Sequence, residues 1–396
     1  MIFSPEQTFA LEQFAKGDNL FLTGGGGTGK SKWIQHVSSK SKKNVQVCAL
    51  TGCAAILLNC NAKTLHSWAG IGLGDANKAL SNQYVCKRWK STQVLIIDEV
   101  SMMSMELFDL LNTLGQTIRK SSKPFGGIQL ICCGDFYQLP PVKSNFCFES
   151  AFWKSTFHHC IEFKTMFRQK DQVLQTIMNE IRTGSLSQSS LDILSTRIQP
   201  SDNCTKLVPI RQSADFINTM HYNKLTGDEH VFKMACSSVN AYAVDYLKKN
   251  IQCDEMIKLK IGTQVMCIVN LNETICNGSQ GVVVGFNPHP IVKFGSIDMV
   301  LAPHTWTHEA DHIIQVPLIY AWATTIHKAQ GATLQRAEID LGDSVFEYGQ
   351  IYVALSRITT LDGLFLTKFN AQKIKSHPKV IEYYKSLSSN ISAIAE

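Results

Sequence analysis

The chain reads as an α/β protein built on parallel sheets, and three observations carry that reading. Short apolar runs alternate with helix-period segments through the first 165 residues. A Gly-rich turn, Gly24-Gly25-Gly26-Gly27-Thr28-Gly29-Lys30-Ser31, joins the first such run to the helix that follows it. The same alternation resumes after position 166, broken by a stretch of short β-type runs. At 396 residues the chain exceeds one ordinary core, so about two or three domains are expected.

The elements follow in order. Asn19–Thr23, Val45–Leu50, Val94–Asp98 and Ile128–Gly134 are apolar runs, as buried parallel strands should be. Met105–Arg119 carries Leu107, Leu110, Leu111, Leu114 and Ile118 at helical spacing. Gly70–Gln83 is rich in breakers and reads as an exposed insertion, at about 70–90, in a first domain spanning 1–165. Asp171–Arg182 reads as a helix, Lys206–Ile210 as a strand and Ser213–Leu225 as another helix. Thr263–Val269, Gly281–Phe286 and Ile291–Phe294 have the texture of a small β-barrel, placed at 261–316. After Pro317 the α/β pattern returns through Ala337–Leu341, a helix at Gly349–Ser356 and Leu364–Phe369. The second α/β domain is therefore drawn as 166–260 plus 317–380, with the β unit inserted into it.

Bulk properties exclude several classes. Hydrophobic residues make up 44%, which suits a folded chain. No apolar run reaches ~18 residues, and the N-terminus lacks a basic-then-apolar leader, so an intracellular protein without a membrane partner is expected. The 13 cysteines are scattered without C-x-x-C pairs, which favours reduced core thiols over disulfides or zinc. A net charge of +6 permits an anionic partner without requiring one.

The Gly-rich turn fits G-x-x-x-x-G-K-[S/T]. Its glycines Gly25, Gly26, Gly27 and Gly29, with Thr28, let backbone amides face phosphate oxygens, and the following helix adds its positive end. Lys30 would sit between β- and γ-phosphates, and Ser31 would offer its hydroxyl to Mg²⁺. Asp98 and Glu99 end an apolar strand, where an α/β sheet places its chemistry. Asp98 would hold Mg²⁺ through a water, and Glu99 would take the proton from an attacking water. Gln138, after the next strand, could touch a γ-phosphate, although a plain proline-terminated loop explains the same residues equally well. Arg357 lies on a helix with an apolar face; its planar guanidinium suits a γ-phosphate, and a surface charge is the ordinary alternative.

Taken together, these motifs resemble the Pif-type (petite integration frequency) DNA helicases of superfamily 1B, in family order from Gln7 to Arg357. Ser4-Pro5-Glu6-Gln7 is similar to the adenine-reading glutamine motif. Thr51-Gly52 and His66-Ser67-Trp68 resemble strand-contacting motifs. Glu99–Lys120 and Lys123-Pro124-Phe125-Gly126-Gly127, leading into Gly134–Pro141, resemble the family's own signatures. Phe167-Arg168-Gln169 resembles a motif whose arginine contacts the γ-phosphate, and Phe346–Gln350 a nucleotide-contacting segment. Three positions depart from the pattern: Gly26 stands where alanine is common, and Asn61-Ala62 where two glycines are usual, so the latter turn is expected to be reshaped.

The resemblance implies two RecA-like domains, the inserted barrel being of Src-homology-three type, and a monomeric ATP-dependent 5′→3′ DNA helicase. ATP and Mg²⁺ would be its cofactors. Single-stranded DNA and forked or 5′-tailed duplex, with G-quadruplex as a further substrate, would be its partners. Lys30, Gln138, Arg168 and Arg357 would meet the γ-phosphate, with Gln330, Gly331 and Glu347 as further nucleotide contacts. Thr51, Gly52, His66, Ser67 and Trp68 would grip the strand from the first domain, and His327 and Lys328 from the second. Trp68 has an equal alternative as a core anchor, and His66 as a bond within its loop. A nucleotide-gated single-strand binding module and an RNA-directed motor are the competing functions.

Overall fold

The structure is a computed structural model. It describes residues 3–392 except 73, 170, 202–203, 238–247, 249–250, 252, 273, 276 and 309–310. Part of the second domain's expected first segment, 238–247, lies outside the described residues. The chain divides into two compact units: residues 1–170, 179–185 and 375–396 form one, and 171–178 with 186–374 the other.

In the first unit six strands form one parallel sheet: β1 (Leu20–Thr23), β2 (Val45–Ala49), β3 (Lys63–Thr64), β4 (Val94–Asp98), β5 (Gln129–Cys133) and β6 (His159–Glu162). Their order is β3-β2-β4-β5-β1-β6. β1, β4 and β5 are buried along their whole length, which explains their unbroken apolar sequence. Because the strands are parallel, the turns leaving β1, β4 and β5 open on the same edge of the sheet. Two of the elements framing it carry helix signals in sequence. Ser4 caps Pro5–Lys16 in a reciprocal box with Gln7, and Ser104 caps Met105–Arg119.

Two findings depart from the sequence expectation, and a third accords with it. The breaker-rich stretch folds into short helices, Ala76–Ser81 and Gln83–Ser91, whose Ala79, Val85 and Trp89 enter the core. Residues 166–170 belong to the first unit, and so does the helix Pro378–Ser392, which packs through Val380, Tyr383 and Tyr384. The first boundary expected at 165 thus falls after 170, and the second at 374 rather than 380. In the turn at 59–62, Asn59 and Asn61 adopt left-handed φ of 46° and 54°, while Ala62 does not. Asn tolerates that region and Ala does so poorly, so Asn61 takes a conformation open to glycine while Ala62 stays out of it.

The Lys123–Gly127 signature has a packing cause. Phe125 and Gly126 take φ of 50° and 64°, turning the chain tightly against helix Met105–Arg119. A Cβ on Gly126 would lie 2.2 Å from the Gly115 carbonyl oxygen, so only glycine fits. Asn112 accepts the Phe125 amide at 2.9 Å from inside the helix.

The second unit has a four-stranded parallel sheet ordered Ala323–Thr325, Thr205–Val208, Ala337–Leu341, Leu364–Phe369. A five-stranded antiparallel sheet joins Ile297–Val300, His289–Phe294, Gln280–Asn287, Gln264–Cys267 and Leu318–Tyr320. Its last strand lies beyond residue 316, because Leu318–Tyr320 pairs with Gln264–Cys267 before the chain re-enters the parallel sheet. Smaller antiparallel pairings involve His230–Lys233 with Met256–Leu259, and His304–His308 with Asp311–Gln315 and Ala235–Ser237. Both units are thus α/β with parallel sheets, as the sequence implies. No helix among the described residues is long and apolar enough to cross a membrane.

Candidate nucleotide site

The Gly-rich turn lies between β1 and the helix Lys30–Lys40. Gly24, Gly27 and Gly29 all have positive φ. A Cβ on Gly27 would meet the Arg168 Cβ at 2.7 Å and Gln169 Oε1 at 2.8 Å, so a side chain there would push the next segment away. The loop is braced from within: Thr28 Oγ1 donates to the Gly25 carbonyl at 2.9 Å. It is braced from outside as well, since Gln7 Nε2 donates to the Thr28 carbonyl at 3.1 Å. Gln7 Oε1 accepts the Ser4 amide at 3.1 Å, and the Gln7 side chain is buried. The residue expected to read adenine is thus anchored to the phosphate loop itself.

Lys30 Nζ donates to the carbonyls of Gly24 at 2.6 Å and Gly25 at 3.0 Å. Burial lowers its pKa, and the negative fields of Asp135, Glu99 and Asp98 act the other way. Ser31 follows on the exposed first turn of the helix. Phe167 and Arg168 both donate their amides to the Gly27 carbonyl, at 2.9 and 3.3 Å. The two motifs expected to meet at phosphate are therefore in backbone contact, which is why 166–170 joins the first unit.

β4 delivers Asp98, 6% exposed, and Glu99, whose backbone is left-handed at φ 56°. For a non-glycine residue that conformation is uncommon and costs about 1 kcal/mol or more, a strain that concentrates at functional turns. Burial, then the neighbouring Glu99 charge, pushes the Asp98 carboxyl up to about 7. Gln138 is buried in the turn after β5, its amide donating to the Asp135 carbonyl at 2.9 Å.

An oxygen donor set with one exposed hydroxyl and one buried carboxylate of raised pKa fits a divalent cation. Ser31 and Asp98 are the residues that would hold Mg²⁺, which would supply charge neutralisation to a bound triphosphate. The raised pKa makes a prediction for the protein without cation. A folded-state pKa above the unfolded value near 3.8 means the fold binds the extra proton, so this contribution is lost as pH rises from about 4 to 7. Asp98→Asn is therefore expected to raise thermal stability at pH 8 by up to a few kcal/mol, on the order set by the pKa shift. The gain should shrink toward pH 5, where both side chains are neutral. Melting curves of both proteins in chelator across pH 5–8 check this; a pH-independent gap would rule out the titration.

The residues expected to touch DNA are placed unevenly. Thr51 caps the start of the helix Gly52–Leu57, its Oγ1 accepting the Ala54 amide at 3.2 Å. His66 is half-buried, and burial lowers its pKa. The Ser67 amide donates to the Thr64 cap, and the Ser67 carbonyl accepts Arg88 Nη2 at 2.9 Å. Trp68 is a correction. It is wholly buried, with its ring centroid 4.4 Å from that of Trp89, and presents no face to a base. Its role is the core, because helix Leu65–Ala69 turns Leu65, Trp68 and Ala69 inward. Trp68→Ala should cost about 3–5 kcal/mol, as large aromatic deletions do, read by urea unfolding. An unchanged midpoint with lost single-strand affinity would return it to the binding surface.

In the second unit His327, Lys328 and Gly331 are exposed on the turn after Ala323–Thr325. Gln330 donates its amide to the His327 carbonyl at 3.2 Å, and the His327 ring lies parallel to Phe346 at 6.4 Å. That stacking brings the turn beside the Phe346–Gln350 segment. Gln350, fully buried, accepts the amides of Phe346 and Glu347 and fixes its shape. Arg357 is 3% exposed, its guanidinium donating to Val353 O at 3.0 Å, Ser356 Oγ at 2.6 Å and Ala332 O at 3.4 Å.

Sequence reasoning missed Asp135 and Arg182. Asp135 is fully buried beside the Gln138 turn and is bridged by Arg182 through Nε at 2.9 Å and Nη2 at 3.1 Å. Nothing local in the sequence pairs positions so far apart. No group of cysteine, histidine and acidic residues suited to a metal cluster occurs among the described residues.

Comparison with known proteins identifies a family. Residues 3–198 match the PIF1-like helicase family, and residues 245–286 match the DNA helicase Pif1 2B domain. The ATP-dependent DNA helicase PIF1 of Emericella nidulans is 36% identical, covering 94% of this chain and 61% of the relative. The Homo sapiens protein of that name is 35% identical over 97% of this chain and 64% of the relative. The chain thus spans about three-fifths of the length of these curated relatives. The crystal structure of the Candida albicans Pif1 helicase superposes with a TM-score of 0.80 at 36% identity, covering 98% of this chain and 100% of that one. Bacteroides Pif1 in complex with ADP-AlF4 superposes at 0.87 with 28% identity, over 98% of each chain. With a signature turn, a phosphate loop and these relatives in accord, the chain belongs to the PIF1-like helicase family.

Proposed function

We propose that this chain is the motor core of an ATP-dependent DNA helicase that moves 5′→3′ along single-stranded DNA and opens forked or 5′-tailed duplex. The observation that carries the reading is the closure of Phe167-Arg168 onto Gly27 of the phosphate loop, beside Lys30. That backbone contact supports Arg168 and Lys30 as two cations that would share one γ-phosphate. The related Bacteroides protein has been crystallised with ADP-AlF4 and, separately, with single-stranded DNA, which supports the same ligands here.

In this proposal the loop amides and Lys30 bind the β- and γ-phosphates, Asp98 and Ser31 hold Mg²⁺, and Glu99 accepts the proton of the attacking water. Gln138, Arg168 and Arg357 register the γ-phosphate, so their contacts weaken when phosphate leaves. Gln7, Gln330, Gly331 and Glu347 complete the nucleotide contacts. Thr51, Gly52, His66 and Ser67 on one unit and His327 and Lys328 on the other contact the strand. Hydroxyls and cations suit backbone phosphates, which carry no sequence information, as a translocating motor requires. The protein acts as a monomer, inside the cell, with the antiparallel unit near 261–320 helping to enclose DNA.

Unwinding of matched 5′-tailed and 3′-tailed duplexes, with and without ATP, tests the reading. Strand separation confined to the 5′-tailed substrate with ATP is expected. Opening of the 3′-tailed substrate alone would reverse the polarity. Nucleotide-dependent binding with no strand separation would leave a gated binding module, and stimulation by RNA in place of DNA an RNA-directed motor.

A further inference from the structure

The helix Pro378–Ser392 sends one side chain to the edge of the sheet where the phosphate loop begins. Tyr384 lies with its hydroxyl 2.6 Å from Thr23 Oγ1, accepts the Phe136 amide at 3.2 Å and stands 3.4 Å from Asp135 Oδ1. Thr23 is the residue before Gly24, and Phe136 lies two residues before Gln138. A single oxygen therefore spans the start of the phosphate loop and the turn that carries Gln138.

The ring is fixed as firmly as the hydroxyl. Tyr384 stacks on Tyr137 at 4.7 Å and 9°. The Arg182 guanidinium lies 4.9 Å from the Tyr137 ring and 5.6 Å from that of Tyr384. Arg182 in turn bridges Asp135 and reaches Glu162, at the end of β6, at 3.0 Å. Asp135 is fully buried, so its charge depends on these partners. The neighbouring Tyr383 points elsewhere. Its ring stacks on Phe148 at 4.3 Å and meets the Phe136 ring edge-on at 5.6 Å, but its hydroxyl accepts Trp153 Nε1 at 2.8 Å.

We propose that Tyr384 is a positioning residue for nucleotide hydrolysis, its hydroxyl locking the Gln138 turn to the phosphate loop so that a γ-phosphate is felt by both. The inference rests on the nucleotide reading of the site. Tyr384 touches no reacting atom; it acts through Thr23 and Phe136. Removing the hydroxyl frees the Phe136 amide and lets the turn drift relative to the loop. A diphosphate, which does not reach that turn, should bind as before. A triphosphate should lose the benefit of the registered turn.

The test is Tyr384→Phe, which keeps the ring stack, beside Tyr383→Phe as a control for helix packing. Equilibrium affinities for ADP and for a non-hydrolysable ATP analogue are measured with the full chain, together with DNA-stimulated ATP hydrolysis. For Tyr384→Phe the preference for triphosphate over ADP should fall about 3- to 10-fold and kcat about 5- to 20-fold, the range expected from losing one hydrogen bond at a coupling point. Its ADP affinity should stay within about twofold, and Tyr383→Phe should shift neither readout. An unchanged preference in Tyr384→Phe, or an equal loss in Tyr383→Phe, overturns the proposal. If the wild-type protein binds nucleotide without hydrolysing it, the motor reading fails while the affinity ratio still decides the role of Tyr384.

Discussion

Lys30→Ala is expected to lower DNA-stimulated ATP hydrolysis by about 10²–10³-fold or more, the cost of removing a preorganised charge from a phosphoryl-transfer site. Lys30 is held against the Gly-rich loop by the carbonyls of Gly24 and Gly25. Burial depresses its pKa and the fields of Asp135, Glu99 and Asp98 counter that, so a bound triphosphate would add to the negative field that favours the charged lysine. The loop itself should survive the substitution. Thr28 Oγ1 and Gln7 Nε2 brace it independently of the lysine. The variant should therefore melt within a few degrees of wild type and still bind single-stranded DNA. Phosphate release in steady state, with circular dichroism as the folding check, measures both. Residual hydrolysis within about tenfold of wild type would remove Lys30 from the chemistry.

The parts legible in the sequence were those written by neighbours. Glycines 24–29 with Lys30 and Ser31 are consecutive, and β4 ends on Asp98-Glu99 within one apolar run, so spacing alone locates them. The left-handed φ of Asn61 is local too, since asparagine by itself tolerates that region, whereas nothing in the identity of Glu99 announces its left-handed turn. Illegibility grows with separation. Asp135 and Arg182 are 47 positions apart, and Tyr384 and Asp135 are 249 apart, so neither pairing leaves a periodic trace. Trp68 was ambiguous for another reason. An aromatic on a five-residue helix has the same sequence signature whether its ring faces Trp89 or solvent, and only the packing of the Ala76–Ser91 helices decides. Those helices were themselves hidden behind a run of breakers, which mark turns but do not say how much chain between them is buried.

Arg357→Ala is expected to produce a loss of comparable or greater size, about 10³–10⁵-fold in kcat, if its guanidinium meets the transferring phosphate as arginine fingers do. The residue is not idle within its own unit. Nε closes back on Val353 O, Nη2 on Ser356 Oγ and Nη1 on Ala332 O, with 3% of the residue exposed. Those bonds end the helix Gln350–Leu355 and fasten it to the segment after Ala323–Thr325, so alanine should also cost about 1–3 kcal/mol of stability. The two consequences separate by substitution. Arg357→Lys keeps a cation but cannot reproduce the planar fork, so it should recover less than about a tenth of the rate while regaining part of the stability. ADP affinity, which does not involve the γ-phosphate, should be close to wild type in both variants. A lysine variant with full hydrolysis would show that charge without geometry suffices, and an alanine variant with full hydrolysis that Arg357 is a buried cap for its own helix and nothing more.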